Sequence, residues 1–488
     1  MWAGSAFRTA GPALVALAVT AAGCAPGAAT AAAPPSVHWG PCADNASVEC
    51  GSVAVPVDWA APDGPAIDLA VARRAAADPA RRLGTLVYAP AGPGSSGVDA
   101  LTNQQVFDLL FTPEQAERFD IVSFDPRGVR RSHPVRCSAA LVDALDMPVR
   151  GEREFRRFLD AQAALGGSCR ELTGPVIDHL DSTDQARDLD ALRAALGEER
   201  VNIYALSYGT VLGQMYAESF PERIRTMVLD ATVDHSVGTE RIHVTGARAA
   251  QESFEVVLGW CATSEACVLH GRDVRAIVAD LYAKADAGEL THPTDPARTL
   301  DRGELAHEIL DPLGNADVVE TTNRIAALAG SPAPRSADQS AQGSSAATVP
   351  LPIYLYCADH RNSTRSYADL YRLRRLESAV APDVRTSTHG VPLLCVNPPF
   401  ETTNPPHELD VEDAPPILVT NSRYDASTPH ENARRVAEQI GDAVLVTYDG
   451  LGHGAAVRGR CMRGLVTAYL VDGTMPPRGT HCPAEPLP

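Results

Sequence analysis

Lysine is nearly absent: Lys284 is the only one among 42 basic residues, and 61 acidic residues leave the 488-residue chain at a formal net charge of −19. Clustered cations, which a phosphate backbone requires, are therefore scarce, and nucleic acid is excluded as a partner. The arginine bias reads as composition rather than mechanism, and the acidity as solubility. Also missing are any C-x-x-C pair and any H-E-x-x-H sequence. That removes the common zinc frameworks, and no metal or other cofactor is expected.

A strongly apolar run is lacking too. The segment from Pro12 to Ala22 is rich in alanine, valine and leucine, follows a lone Arg8 and leads into small residues through Ala33. This is the pattern of an export signal over residues 1–33, and it is too weakly apolar to hold a bilayer. "TAAGCAPG" resembles a bacterial lipobox with Cys24 as the lipidated residue. A secreted or cell-surface protein is expected, touching the membrane only through lipid on Cys24. Setting Cys24 aside leaves ten of the 11 cysteines, an even number in an exported chain, where disulfides persist. Neighbours in sequence offer Cys42 with Cys50, Cys137 with Cys169, Cys261 with Cys267, Cys357 with Cys395 and Cys461 with Cys482, although sequence alone does not fix connectivity.

What is present, 45% hydrophobic and 21% charged residues, suffices for a large core. Strand-like and helix-like runs alternate after the export segment, which predicts an α/β fold with a mostly parallel central sheet. "GTLVYAPAG" and "FDIVSFDPRG" read as strands with their turns. In "DSTDQARDLDALRAALGEE", Ser182 and Gln185 read as a capping box and Gly197 as the stop. The rhythm breaks near Asp234 and resumes after His407. The expected organisation is a core over 36–235, an inserted helical lid over 236–407 and the rest of the core over 408–482. The lid includes a low-complexity stretch, "GSPAPRSADQSAQGSSAATVP", expected to be a mobile loop. In the resumed half, Thr428 reads as the cap of a helix with Pro429 in its first turn and Glu431 three residues on.

The chemistry gathers around "VNIYALSYGTVLGQMYAES". Val201–Leu206 suits a buried strand, and Val211, Leu212, Met215, Tyr216 and Phe220 recur at helical spacing until Pro221. Ser207 thus sits in a strand-to-helix corner with almost no loop, the setting of a nucleophile elbow, although an isolated serine there also reads as a helix cap. Asp425 after "ILVTNSRY" and His453 after "VLVTYDGLG" stand at the ends of later strands, giving the chain order Ser, Asp, His of α/β-hydrolases. Asp230, at the end of the strand after the elbow, is the rival acid, while Asp413 and Asp449 read as structural. An acyl intermediate also needs two backbone N–H donors. One is expected from Tyr208. The other comes from Ala91, Gly92 or Gly94 in "APAGPGSSG", with Gly92 preferred, because Pro90 and Pro93 have no N–H and no lysine follows to make this a phosphate loop.

Together "APAGPGSSG", "FDIVSFDPRGVRRSHPVRC", "ALSYGTVLGQMYA", "YCAD", "RYDASTPHENARRVA", "GLGHG" and "CMRGLVTAYLVDGTMPPRGTHC" resemble the secreted tripeptidyl aminopeptidases of actinobacteria. These belong to the proline iminopeptidase-like branch of the α/β-hydrolases, and the resemblance runs from Trp39 to Cys482. It implies a serine peptidase that removes short peptides from free N-termini, with Ser207, Asp425 and His453 as triad and Gly92 with Tyr208 as oxyanion hole. Ala205 and Ala91 depart from it, standing where the family commonly has glycine. Carboxylesterase or a pathway-specific amide hydrolase is the alternative. A binding scaffold without catalysis is disfavoured because no triad member is missing. An exopeptidase must stop its substrate at a fixed depth, and a carboxylate in a dehydrated pocket stops an ammonium well. Asp359 in "LYCADH" is the candidate, next but one to Cys357, which pairing of neighbouring cysteines would tether to Cys395.

Overall fold

The computed structural model describes residues 36–145, 147, 149–295, 298–330, 347–387 and 390–488. The export signal, Cys24 and most of the low-complexity stretch lie outside the described residues. Twelve strands are described: β1 (Gly40–Pro41), β2 (Glu49–Pro56), β3 (Ala66–Arg74), β4 (Thr85–Ala89), β5 (Asp120–Phe124), β6 (Arg136–Ser138), β7 (Val201–Leu206), β8 (Ile224–Asp230), β9 (Thr348–Pro350), β10 (Ile417–Tyr424), β11 (Ala443–Leu451) and β12 (His481–Cys482). Ten form one sheet in the order β1-β2-β3-β5-β4-β7-β8-β10-β11-β12. From β5 to β12 every pairing is parallel. The pairings of β1 with β2, β2 with β3 and β3 with β5 are antiparallel.

This is the sheet of an α/β-hydrolase, and its composition explains its layers. The central strands β4 and β7 are buried nearly throughout, as parallel strands covered on both faces must be. In β2 and β3 burial alternates, with Val53, Val55, Ile67, Leu69 and Val71 inward, as in a sheet with one dry face. The strand-helix rhythm therefore starts only at β4, behind an antiparallel pair that the sequence reading passed over. Strand order reverses at β4: β5 lies on one side and β7 on the other. In open α/β sheets ligands bind outside the carboxyl ends of the strands at such a switch point. Those ends are Ala89, leading into "APAGPGSSG", and Leu206, leading into Ser207.

Between β8 and β10 the chain builds the helices Thr239–Thr263, Val274–Ala287, Arg302–Leu310, Val318–Leu328, Tyr354–Asp359 and Tyr367–Val380. The first four enclose a core of their own around Phe254, Leu281, Tyr282, Leu305, Ile309 and Ile325. The later part is different: Tyr354, Leu355, Cys357, Cys395 and Phe400 join the core beneath the sheet, and β9 pairs with β6. Composition reads 236–407 as one segment, and burial separates it into an outer helical layer and a part built into the hydrolase body. No described helix is long and apolar enough to cross a membrane.

Five disulfides join Cys42–Cys50, Cys137–Cys169, Cys261–Cys267, Cys357–Cys395 and Cys461–Cys482. These are the neighbouring pairs that the sequence offers. Two helix caps fall one position or more from where they were expected. Asp181, not Ser182, caps Ser182–Ala195, accepting from the N–H groups of Thr183 and Asp184. The second helix starts at His430 without a side-chain cap. In both places the hydroxyl serves a carboxylate outside its helix: Ser182 donates to the distant Asp359 and Thr428 to Asp425, three residues before it.

Candidate active site

The corner after β7 is as tight as its sequence demands. Ser207 takes a φ of 56°, a left-handed conformation worth roughly 1–3 kcal/mol of strain for a residue with a Cβ. Its N–H donates to Asp230 O at 2.9 Å, extending the β7–β8 ladder past the strand end. A side chain at Gly209 would place Cβ 2.4 Å from Ala89 O and 2.6 Å from Pro90 O, so helix Gly209–Ser219 begins pressed against the end of β4. The methyl of Ala205, where glycine is usual, fits because Gly213 faces it: a Cβ on Gly213 would lie 3.2 Å from Ala205 Cβ and 2.7 Å from Leu229 Cδ2.

His453 and Asp425 meet at the ends of β11 and β10. Imidazole Nδ1 lies 2.9 Å from Asp425 Oδ2. The buried carboxylate also accepts from Ser427 N–H (2.8 Å), Thr428 N–H (2.9 Å) and Thr428 Oγ1 (2.9 Å). Burial pushes the Asp425 carboxyl up, but the His453 charge, its hydrogen bond and the Thr428 donors together hold it below the usual carboxylate range. Burial likewise works against the imidazolium, and Asp425 overcomes it, so the His453 pKa is raised above its ordinary 6.5. The rival Asp230 faces other partners: Tyr204 OH (3.1 Å), Thr420 Oγ1 (2.8 Å) and Ala456 N–H (3.1 Å). Of the two structural candidates, Asp449 pairs with His481 at 2.8 Å and Asp413 stands exposed in a turn.

The His453 loop reaches the elbow, since a Cβ on Gly454 would lie 3.5 Å from Leu206 Cδ1. Among the described residues, no hydrogen bond links His453 Nε2 to Ser207 Oγ; such contacts tighten when substrate fills a site. A base must be neutral, so with a raised imidazole pKa the acid limb of kcat/KM is expected to have its midpoint above pH 6.5. A pH–rate profile with a midpoint at or below 6.5 would contradict the effect of the Asp425 pairing.

Ser207 and Tyr208 share a cavity of about 150 Å³ with Gly92 and Pro93, walled by Ile242, Ile353 and Tyr356 among others. Gly92 adopts a φ of 136°, and a Cβ there would lie 2.5 Å from Gly94 N; only glycine fits. Gly92 lines the cavity and Ala91 does not, which leaves Gly92 better placed as a donor there. The loop is held from behind by Asp125 of "FDPRG", fully buried. Its carboxylate accepts from Ser96 Oγ, from Val98 N–H at 3.2 Å and from Arg131 at 3.1 Å. Two residues on, Arg127 is fully buried in a bidentate pair with Asp188 at 2.6 and 2.7 Å and donates to the carbonyls of Pro56, Val57 and His179. Sequence reasoning used these residues only as part of a resemblance.

Asp359 is not where it was expected. It is fully buried and absent from the cavity wall, accepting from Ser182 N–H (2.9 Å), Ser182 Oγ (2.6 Å), Asn404 Nδ2 (2.7 Å) and the Tyr208 hydroxyl. Four donors occupy the carboxylate, so it has no room for a substrate ammonium. It instead ties the residue after the elbow to the start of helix Ser182–Ala195 and to the 404 loop. Burial first, then the charge of Asp181, pushes its carboxyl up to about 7. Asp359→Ala would orphan two fixed N–H donors and two hydroxyls and is expected to cost about 3–5 kcal/mol. Asp359→Asn keeps an oxygen for the N–H donors and offers an amide to the hydroxyls, which can turn to accept, so its loss should be much smaller. Because the native pKa of about 7 exceeds the ordinary 3.8, this group's stability contribution is full below pH 3.8 and is lost as pH rises through 7. Denaturant titrations across that range should show the Asn variant without this slope. Equal destabilisation by Ala and Asn would refute the account.

Comparisons with known proteins place this geometry among relatives. Residues 381–482 match the TAP-like protein family. Serine protease Hip1 of Mycobacterium tuberculosis is 31% identical over 489 residues, which cover 91% of each chain. Tripeptidyl aminopeptidase of Streptomyces lividans is 29% identical, covering 94% of this chain and 89% of that protein. Carboxylesterase B of Mycobacterium tuberculosis is also 29% identical, with 94% and 92% covered.

Proposed function

Since the chain belongs to the tripeptidyl aminopeptidase-like family of α/β-hydrolases, we propose that it is an exported serine peptidase that releases short peptides, tripeptides foremost, from free N-termini. The observation that carries this reading is Ser207 held at a φ of 56° in the corner between β7 and its helix, with His453 paired to the buried Asp425 at neighbouring strand ends. Ser207 Oγ attacks the scissile carbonyl carbon while His453 takes the hydroxyl proton through Nε2. Asp425 orients the imidazole and stabilises its charged form. The oxyanion that develops is met by the N–H groups of Gly92 and Tyr208. His453 then returns the proton to the leaving amine, and water, activated by the same base, hydrolyses the acyl-enzyme.

Export accords with five disulfides, which persist in oxidising compartments. With Asp359 occupied, the carboxylate on the cavity wall is Asp234, only 1% exposed. It too is engaged by four donors, Arg435 Nε at 2.6 Å, Ser236 N–H and Oγ, and Gln439 Nε2, so neither carboxylate is assigned to the substrate's ammonium group. What supports the free-terminus requirement is the similarity to tripeptidyl aminopeptidase. A good tripeptidyl anilide should therefore lose at least about tenfold in kcat/KM when its N-terminus is acetylated. The similarity to carboxylesterase B favours a second reading, hydrolysis of acyl esters. Equal hydrolysis of free and acetylated peptides, or turnover of simple acyl esters well above that of anilides, would transfer the assignment to that reading.

A further inference from the structure

One face of helix Tyr367–Val380 lines a second cavity, about 580 Å³ in volume, whose walls share no residue with those of the catalytic cavity. Leu370, Leu373 and Glu377 are buried on the inner side. Glu377 pairs there with His243 at 2.9 Å, on the helix that also supplies Ile242 and Gly246 to the catalytic cavity. The outer side carries Tyr367, Tyr371, Arg374 and Arg375, at spacings of four, seven and eight residues that bring them onto one stripe. Arg150 and Arg302 complete the cationic lining, against two aspartates, Asp286 and Asp301.

The charges there do not balance. Arg302 is matched to Asp286 at 2.7 Å. Asp301 caps helix Arg302–Leu310, accepting from Gly303 and Glu304 N–H. Arg374 donates to Val149 O at 3.0 Å and, among the described residues, reaches no carboxylate within salt-bridge distance. Arg150 and Arg375 likewise have no ion-pair partner among the described residues. Three guanidinium groups thus face one cavity without a salt-bridge partner among the described residues, and its four arginines outnumber its two aspartates, in a chain whose net charge is −19. Desolvation, and then the nearby Arg302 charge, holds Arg374 below its ordinary pKa. Tyr371, 52% exposed, sets an aromatic face beside these cations.

We propose that this cavity is a docking site for an acidic peptide segment. Charge complementarity selects the occupant: guanidinium forks bind carboxylates, and tyrosine faces accept the apolar parts of a peptide. The arginines come from three separate stretches of chain, at 150, 302 and 374–375, and the helix N-terminus at the rim is already capped by Asp301. A run of carboxylates fits that layout better than one phosphate does. This site is separate from the catalytic cavity, so the proposal does not depend on the peptidase reading.

The test uses a fluorescent octapeptide of alternating glutamate and alanine, blocked at both ends so that it presents no free amino terminus, against its glutamine counterpart. Fluorescence anisotropy with the intact protein should show the acidic peptide binding at least about tenfold tighter, with the preference lost in about 0.5 M salt. Arg374→Gln combined with Arg375→Gln should abolish the preference. Arg375→Glu alone, at an exposed position, should reduce it at least about tenfold should the double variant fold poorly. Fluorophosphonate labelling of Ser207 should be unchanged in Arg375→Glu, which separates docking from catalysis. Equal binding of both peptides, or wild-type binding by Arg375→Glu, would overturn the proposal. So would displacement of the acidic peptide by inorganic phosphate at comparable concentration, which would mark a point site for a small anion.

Discussion

Ser207→Ala is expected to lower turnover by about 10⁶-fold, equivalent to about 8 kcal/mol of transition-state stabilisation, with the fold intact. The fold should survive because alanine meets the same left-handed backbone cost as serine at this corner and fits in the space of the hydroxyl. The N–H of residue 207 still completes its bond to Asp230 O. What disappears is the bond-forming step: the other hydroxyl beside His453, that of Thr428, lies on the Nδ1 side of the ring and donates to Asp425. Substrate contacts and the N–H groups of Gly92 and Tyr208 remain, so KM should change far less than kcat, and a residual rate above that in water should persist. The measurement is kcat on a tripeptidyl anilide, with fluorophosphonate labelling to exclude wild-type carry-over and a thermal melt to establish folding. A variant that keeps a tenth of the activity would remove Ser207 from the nucleophile's role.

The elbow was legible because its signals are local. An apolar run, two corner residues and a helical repeat fit within Val201–Ser219, and the backbone strain at Ser207 follows from having so little chain to turn in. Asp425 and His453 were legible for a similar reason, each directly following a buried strand. Asp359 was not, because its role depends on Ser182, Tyr208 and Asn404, which are 177, 151 and 45 residues away in the chain. The same long-range pairing misplaced a cap, since the hydroxyl of Ser182 serves that carboxylate instead of its own helix. Hairpin β2–β3 escaped notice because "ECGSVAVP" holds a glycine and a proline, and its alternation is short. Its burial becomes clear only from the pairing of β3 with β5. The insertion's split into two layers depends on which of its apolar residues meet the sheet, and composition carries no record of that.

Asp425→Asn should lower kcat by roughly 10⁴-fold, less than loss of the nucleophile, because it misdirects the base without removing it. The amide oxygen can keep the N–H groups of Ser427 and Thr428, now 2.8 and 2.9 Å from Oδ1, which holds the turn. The amide nitrogen then occupies the Oδ2 position and donates toward His453 Nδ1. That bond is satisfied only by the tautomer with its proton on Nε2, which faces the serine and so has no lone pair to accept the hydroxyl proton. The substitution also removes the charge that raises the imidazole pKa, so whatever activity remains should have its acid limb shifted to lower pH. A merely structural role for Asp425 would lower activity without that shift. Asp230→Asn is the companion measurement. Asp230 lies near enough for its charge to be felt at His453, but its oxygens are bound to Tyr204, Thr420 and Ala456, so its loss should affect kcat far less than the loss of Asp425. If Asp230→Asn abolished turnover and moved the acid limb while Asp425→Asn did neither, the acid of the triad would be Asp230, and His453 would have to turn from the Asp425 pairing to reach it.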